Sequence, residues 1–219
     1  MKSVALIPIK LNNERLPGKN LKPFDNGEPL INYTLKTALQ VQQFDEIYVY
    51  CSQDSIVDFL PSGVKFLKRP ESLDLPTTSI TEVFTTFAET VDADVYAKLS
   101  VPNPFLSKSS FEKGLNAVLS GEYDSALTVT KHYEFLWIDG KPFNYDGKNI
   151  PRTQDLQPFY TETTGLYVFT KELAKQSRYI GERPFLIEVT AIEASDVDTA
   201  QDFEIANAIF NHILKNRKD

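Results

Sequence analysis

Cysteine occurs once in these 219 residues, as Cys51. An internal disulfide framework is therefore excluded, and a reducing, cytoplasmic setting is expected. Histidine occurs twice. His132 adjoins an aromatic stretch and His212 lies among apolar helical neighbours; neither is next to Cys51, and no Gly-x-Ser-x-Gly elbow is present. An activated nucleophile is not expected. Long apolar runs are missing too. The N-terminal segment offers six consecutive apolar or small residues, Val4 to Ile9, before Lys10, too few for a signal peptide or a membrane span. Basic residues are outnumbered, 23 against 30 acidic, for a net charge of -7. That balance argues against general binding to nucleic acid. Neither the P-loop pattern nor Gly-x-Gly-x-x-Gly occurs, so the two commonest glycine-rich phosphate cradles are absent.

What remains is a regular alternation. Short apolar and β-branched runs at 3–8, 46–51, 64–67, 94–99 and 125–130 predict strands. Helical periodicity fills 29–41, 53–60, 78–90 and 107–120, the last with Ser107 as N-cap and Gly121 as its stop. Beyond come a strand at 165–169, a short helix, a strand near 185–189 and a final helix from about 199 to 215. Continuous apolar strands between amphipathic helices predict an α/β chain with a mostly parallel sheet and helices on both faces. With 219 residues and no repeat, the chain reads as a single domain over 1–219.

Residues 132–160 break the rhythm. Tyr133, Phe135 and Trp137 alternate as one strand face, and Asp139-Gly140 then signals a tight hairpin turn. Such a face either folds back on the parent sheet or packs on another subunit.

Two constellations carry chemistry. The stretch IPIKLNNERLPGKNLKPF, 7–24, places Lys10, Arg15, Lys19 and Lys22 directly after the first strand. Open α/β sheets bind ligands beyond the carboxyl ends of their strands, so a small anion held by Lys10 and Lys19 is one reading. A solvated turn with ordinary surface lysines is the other. Near the C-terminus, SDVDTAQDF places Asp196 and Asp198 on either side of Val197. In extended chain both project to one side, where two carboxylates repel unless a cation neutralises them, and hard oxygen ligands favour Mg²⁺ or Mn²⁺. Asp198 or Thr199 could also cap the last helix.

Taken together the motifs resemble the acylneuraminate cytidylyltransferase family. Its opening Ile-Pro-Ala-Arg-Gly-Gly-Ser-Lys-x-(Ile/Leu)-Pro-x-Lys-Asn is similar, without a gap, to Ile7 through Asn20 here. Its Arg-x-Gln-Asp-x-x-x-x-Tyr-x-Glu-Asn-Gly-Ala-x-Tyr is similar to the stretch from Arg152 to Tyr167, and its Asp-Ile-Asp-Thr-x-x-Asp-Phe to Asp196–Phe203. The resemblance implies a Rossmann-like nucleotidyltransferase fold and Mg²⁺-dependent transfer of CMP from CTP to a small acidic sugar, for surface glycan synthesis. It implies that Lys10, Asn12, Asn13 and Lys19 contact the nucleotide, and that Lys19 and Asp198 are catalytic. Asp196 and Asp198 would bind the metal, while Arg152, Gln154, Tyr160 and Glu162 would line the acceptor side. It further implies a homodimer built on 132–160, with neither nucleic acid nor membrane as partner. The chain departs from the family at Leu11-Asn12-Asn13, where the family has Gly-Gly-Ser, and at Glu14, where it has Lys. The loop is therefore expected to follow another path, with Glu14 paired to a neighbouring lysine. Ser100 to Phe105 replaces Gln-Pro-Thr-Ser-Pro-Leu, which implies a divergent acceptor. A non-sugar acid such as a phosphonate, or a non-catalytic nucleotide-binding role, is the alternative.

Overall fold

In the computed structural model, which describes residues 1–215, the first apolar run forms strand β1, Ser3–Pro8. Its alternate side chains serve two cores: Ala5 and Ile7 enter one, Val4 and Leu6 the other, all fully buried. A strand buried on both faces must be covered by helices on both, and it is. Helix α1, Leu30–Leu39, follows, then β2, Glu46–Cys51, and β3, Val64–Lys68. Helix α2, Ile80–Thr90, leads to β4, Val95–Leu99, and α3, Lys108–Leu119, leads to β5, Ser125–His132. A two-residue pair, β6 (Trp137–Ile138) and β7 (Lys141–Pro142), precedes β8, Phe159–Thr170. The chain then passes through α4, Lys171–Lys175, β9, Pro184–Glu188, and α5, Ala200–Ile209.

The main sheet has seven strands in the order β3-β2-β1-β4-β8-β5-β9. Its pairs are parallel except those of β8 with β4 and β5. Buried faces of α1, α3 and α5 cover one side, and those of α2 and α4 the other. Among the described residues no helix is long and apolar enough to cross a membrane.

Several expected elements change form. Residues 54–59 make a 3-10 turn rather than an α-helix, with Ile56 as the buried anchor. The strand expected at 165–169 is twelve residues long. Its first half, Phe159–Glu162, pairs with Val129–His132 beyond a register shift, forming a two-stranded arm. The helix expected to run to 215 ends at Ile209 and closes with a π-turn over Phe210–Leu214. The hairpin turn is as expected, with Asp139 and Gly140 both at positive φ, 48° and 72°. Tyr133 and Phe135, however, share no strand face with Trp137, since 133–136 lie outside any strand and only Trp137–Ile138 pairs, with Lys141–Pro142. Ser107 caps α3 and Gly121, at φ 78°, ends it.

Candidate active site

The basic loop leaves β1 at its carboxyl end. Asn20, buried, donates from Nδ2 to the Lys10 carbonyl at 2.9 Å, drawing the two ends of the loop together. Gly18 turns the chain at φ 68°, and no residue from Leu11 to Pro17 takes positive φ. Leu11-Asn12-Asn13 therefore follows a path that needs no glycine. The four basic side chains separate. Lys10, Arg15 and Lys19 converge on one cleft, whereas Lys22 lies over the Phe203 ring, 4.2 Å from its centroid. Lys22 is a packing residue.

The acidic pair arrives from the other end of the chain. Val197, fully buried, donates from its backbone N–H to the Pro102 carbonyl at 2.8 Å. Asn103 donates to the carbonyls of Ser195 and Thr163, each at 3.2 Å, so the loop after β4 ties this segment to β8. Thr199, not Asp198, caps α5: its hydroxyl accepts from the Asp202 N–H, and Asp202 returns the bond in a capping box. Asp198 is thus free for other work. Lys19, 8% exposed, donates to Asp198 Oδ1 at 2.7 Å and to the Val197 carbonyl at 2.9 Å. Arg15 meets Asp198 Oδ2 at 2.8 Å. Asp196, one residue before Val197, keeps solvent contact, yet partial burial raises its pKa. The charge of Asp198 adds to the rise, while Lys19 and Lys98 oppose it.

Two adjoining cavities, of about 300 and 320 Å³, share Lys10, Asn13 and Lys19. The larger reaches under Lys98 and Ser100 at the end of β4, and Arg69 closes its far wall. Arg69 is buried and paired with Asp74, whose second oxygen accepts from Ser52 at 2.5 Å, so the 69–76 loop is pinned across β2 and β3. Asn12 lines an adjoining recess with Ser52 and Asp74, whose carbonyl Lys10 approaches at 3.5 Å. Glu14 has no ion pair among the described residues; exposed at the cleft rim, it does not find the neighbouring lysine expected of it.

On the acceptor side, Glu162 accepts from the Tyr167 hydroxyl at 2.7 Å, and Tyr167 lines a further recess of about 320 Å³ beside the cleft. Burial, followed by that bond, raises the Tyr167 pKa. Tyr160 reaches toward Glu188 at 3.4 Å. Arg152 forms a two-point pair with Asp155 at 2.7 and 3.0 Å, and within one chain neither Arg152 nor Gln154 lines these cavities. Sequence reasoning missed Lys98, Arg69 and the pairing of Arg15 with Asp198. Lys98 is detectable only as a lone charge inside an apolar strand.

Among the described residues no group of three or more His, Cys, Asp or Glu forms a ready-made metal cage. Asp198 in the cleft, with the Asp196 carboxylate close to it, nevertheless suits a Mg²⁺ ion that keeps several waters and takes its other oxygens from phosphates. Both Asp198 oxygens are held by cations, so metal entry requires Lys19 or Arg15 to move.

A parallel sheet with one antiparallel strand, and a cationic cleft at the strand ends, defines a nucleotidyltransferase fold. Similar solved structures include CMP:2-keto-3-deoxy-manno-octonic acid synthetase complexed with CTP, with TM-score 0.72 at 19% identity over 96% of this chain and 99% of that one. Another is 4-diphosphocytidyl-2C-methyl-D-erythritol synthase from Anaerococcus prevotii, with TM-score 0.67 at 16% identity and 96% of each chain covered. The chain belongs to the cytidylyltransferase family, whose profile matches residues 4–213. It is 29% identical to the 3-deoxy-manno-octulosonate cytidylyltransferase of Christiangramia forsetii, covering 95% of this chain and 96% of that protein. It is 25% identical to a pseudaminic acid cytidylyltransferase of Campylobacter jejuni, over 97% of this chain and 98% of the relative. It is 24% identical to the N-acylneuraminate cytidylyltransferase of Oncorhynchus mykiss over 92% of its length, but spans only 49% of that protein. The chain thus spans about half the length of the N-acylneuraminate enzymes it matches.

Proposed function

We propose that the chain transfers CMP from CTP to a small acidic sugar and releases pyrophosphate. The observation that carries this reading is the convergence of Lys10, Arg15 and Lys19 with Asp198 in one cleft, with Asp196 near enough to feel the charges of Asp198 and Lys19. The family membership and the named substrates of its relatives support the nucleotide and the acceptor class.

The step asks for little covalent work from the protein, so positioning and charge neutralisation supply most of the rate. An acceptor oxygen attacks the α-phosphorus, its new P–O bond forms, and the bond to the bridging oxygen of pyrophosphate breaks. Lys10 and Lys19 hold the triphosphate, and Asn13 and Asn20 fix the loop that carries them. Arg15 and Lys19 exchange Asp198 for phosphate oxygens as the nucleotide enters. Asp196 and Asp198 would hold Mg²⁺, which supplies charge neutralisation between phosphate and acceptor. Glu162 faces the acceptor, while Arg152, Gln154 and Tyr160 complete its pocket from a second copy of the chain. That homodimer is built on the aromatic segment 132–160, and a cytoplasmic location suits both substrates.

The direct test is pyrophosphate release from CTP and Mg²⁺ with a panel of sugar acids, in the wild type and in Asp198→Asn. The variant should lose at least about a hundredfold in turnover and stay folded, with the Thr199–Asp202 cap intact and a lower melting temperature because buried Lys19 gives up its carboxylate. Wild-type turnover in the variant would remove Asp198 from the reaction.

A further inference from the structure

Lys98 leaves β4 at the wall between the nucleotide cleft and the second recess, and it lines both. It is 9% exposed. One of its three N–H bonds goes to the Thr164 carbonyl at 3.0 Å. The two other buried cations of the site, Lys19 and Arg69, are each locked to a carboxylate. Lys98 makes no such pair among the described residues, and Asp196 acts on it only through space. A buried ammonium with open donors is costly to keep unless an anion completes it.

The recess behind it differs in kind from the cleft. Ile80, Phe84 and Phe169 supply apolar walls, and the Tyr167 hydroxyl is already committed to Glu162. A hydroxyl-rich chain placed there would meet only the Thr164 and Tyr179 hydroxyls besides Lys98, leaving most of its polar groups without partners. An apolar substituent would not.

We infer that Lys98 is a specificity-determining residue that pairs with the acid group of the acceptor, while the aromatic recess takes an acyl or other apolar substituent of the same molecule. The inference rests on the cytidylyltransferase reading and deepens it by assigning the acceptor's two recognition points.

Calorimetry on the full chain, with EDTA present to prevent turnover, tests it. CTP affinity is measured first. N-acetylneuraminate, which carries an acyl group, and 3-deoxy-manno-octulosonate, which carries none, are then titrated into the CTP-bound wild type and Lys98→Met. The wild type should prefer the acylated acid. Lys98→Met should keep its CTP affinity within about twofold yet bind N-acetylneuraminate at least about tenfold more weakly. Its melting temperature without ligand should be equal or higher, because a buried charge has gone. Weaker CTP binding in the variant would put Lys98 on the nucleotide and overturn the inference. Unchanged sugar-acid binding, or a lower melting temperature, would make it a structural tie to Thr164. If the wild type binds CTP but neither acid, or prefers the unacylated one, this inference falls and the cytidylyltransferase reading stands. Failure to bind CTP both in EDTA and in a companion titration with Mg²⁺ removes that reading and the inference with it.

Discussion

Burial pushes the Lys98 ammonium down to a pKa of about 8 from the usual 10.5, and the charge of Asp196 offsets only part of that. Between those two values the unfolded chain binds more protons than the folded one, so stability should rise with pH from about 8 to about 10.5. Below that window the folded protein carries the whole cost of the buried charge, on the order of 3 kcal/mol. Lys98→Met should lack the rise, and the difference between the two pH–stability curves, from chemical denaturation, isolates Lys98 from tyrosines titrating nearby. A second residue under tension is Thr164, β-branched yet held at φ 56°, with its carbonyl turned toward Lys98. The family's Glu-Asn-Gly-Ala motif has glycine at this place. Thr164→Gly should therefore raise stability by about 0.5–1 kcal/mol, the relief of a left-handed conformation outweighing glycine's added chain entropy. A shift of the urea midpoint checks it, and destabilisation would mean that the Thr164 side chain contributes packing in the recess.

At the level of elements, the caps decide which acid does what. Thr199 and Asp202 close a capping box at the start of α5, and hydrogen bonds from Thr199 lower the Asp202 pKa. That stability is present above the ordinary carboxylate range and fades as pH falls through the lowered value. Thr199→Ala should cost about 1 kcal/mol in thermal or urea unfolding and leave nucleotide affinity nearly unchanged. The outcome contrasts with Asp198→Asn, where turnover is lost although the cap is intact. The same elements show what could be read in advance. Apolar runs such as Val4–Ile7 mark strands buried on both faces, and the helices between them follow from their periodicity. Lys10, Lys19, Asp196 and Asp198 stand out as candidates through the family's motifs, since charge alone leaves a solvated turn and a helix cap open. The first half of β8 is not, since Thr161, Glu162 and Thr163 give no apolar alternation and their strand exists only by pairing with Val129–His132. Lys98 and Arg69 are hidden for a related reason. Their burial is a property of how β2, β3 and β4 stack, which no local pattern records.

For the whole molecule, the segment between β5 and β8 leaves apolar side chains without cover. Trp137 is 61% exposed, and Phe143 and Ile150 of the same segment are exposed too. Phe135 packs on Tyr145 at 4.6 Å between centroids, so the tip holds its shape without folding back onto the parent sheet. A second copy seated on this face would bury the aromatics that usually anchor stable interfaces. Trp137→Ala should shift the protein from dimer toward monomer in sedimentation at micromolar concentration, and it should raise the KM for the acceptor more than that for CTP. A wild-type monomer at tens of micromolar, roughly the range in which such an interface holds, contradicts this assembly. The central claim, that the cationic cleft is built for cytidine triphosphate, has a more direct test in the melting temperature with each nucleoside triphosphate, with and without Mg²⁺. At a hundred times its dissociation constant CTP should add about 2.7 kcal/mol, and its shift with Mg²⁺ should exceed those of ATP, GTP and UTP. Equal shifts for all four, or none for CTP, would contradict it.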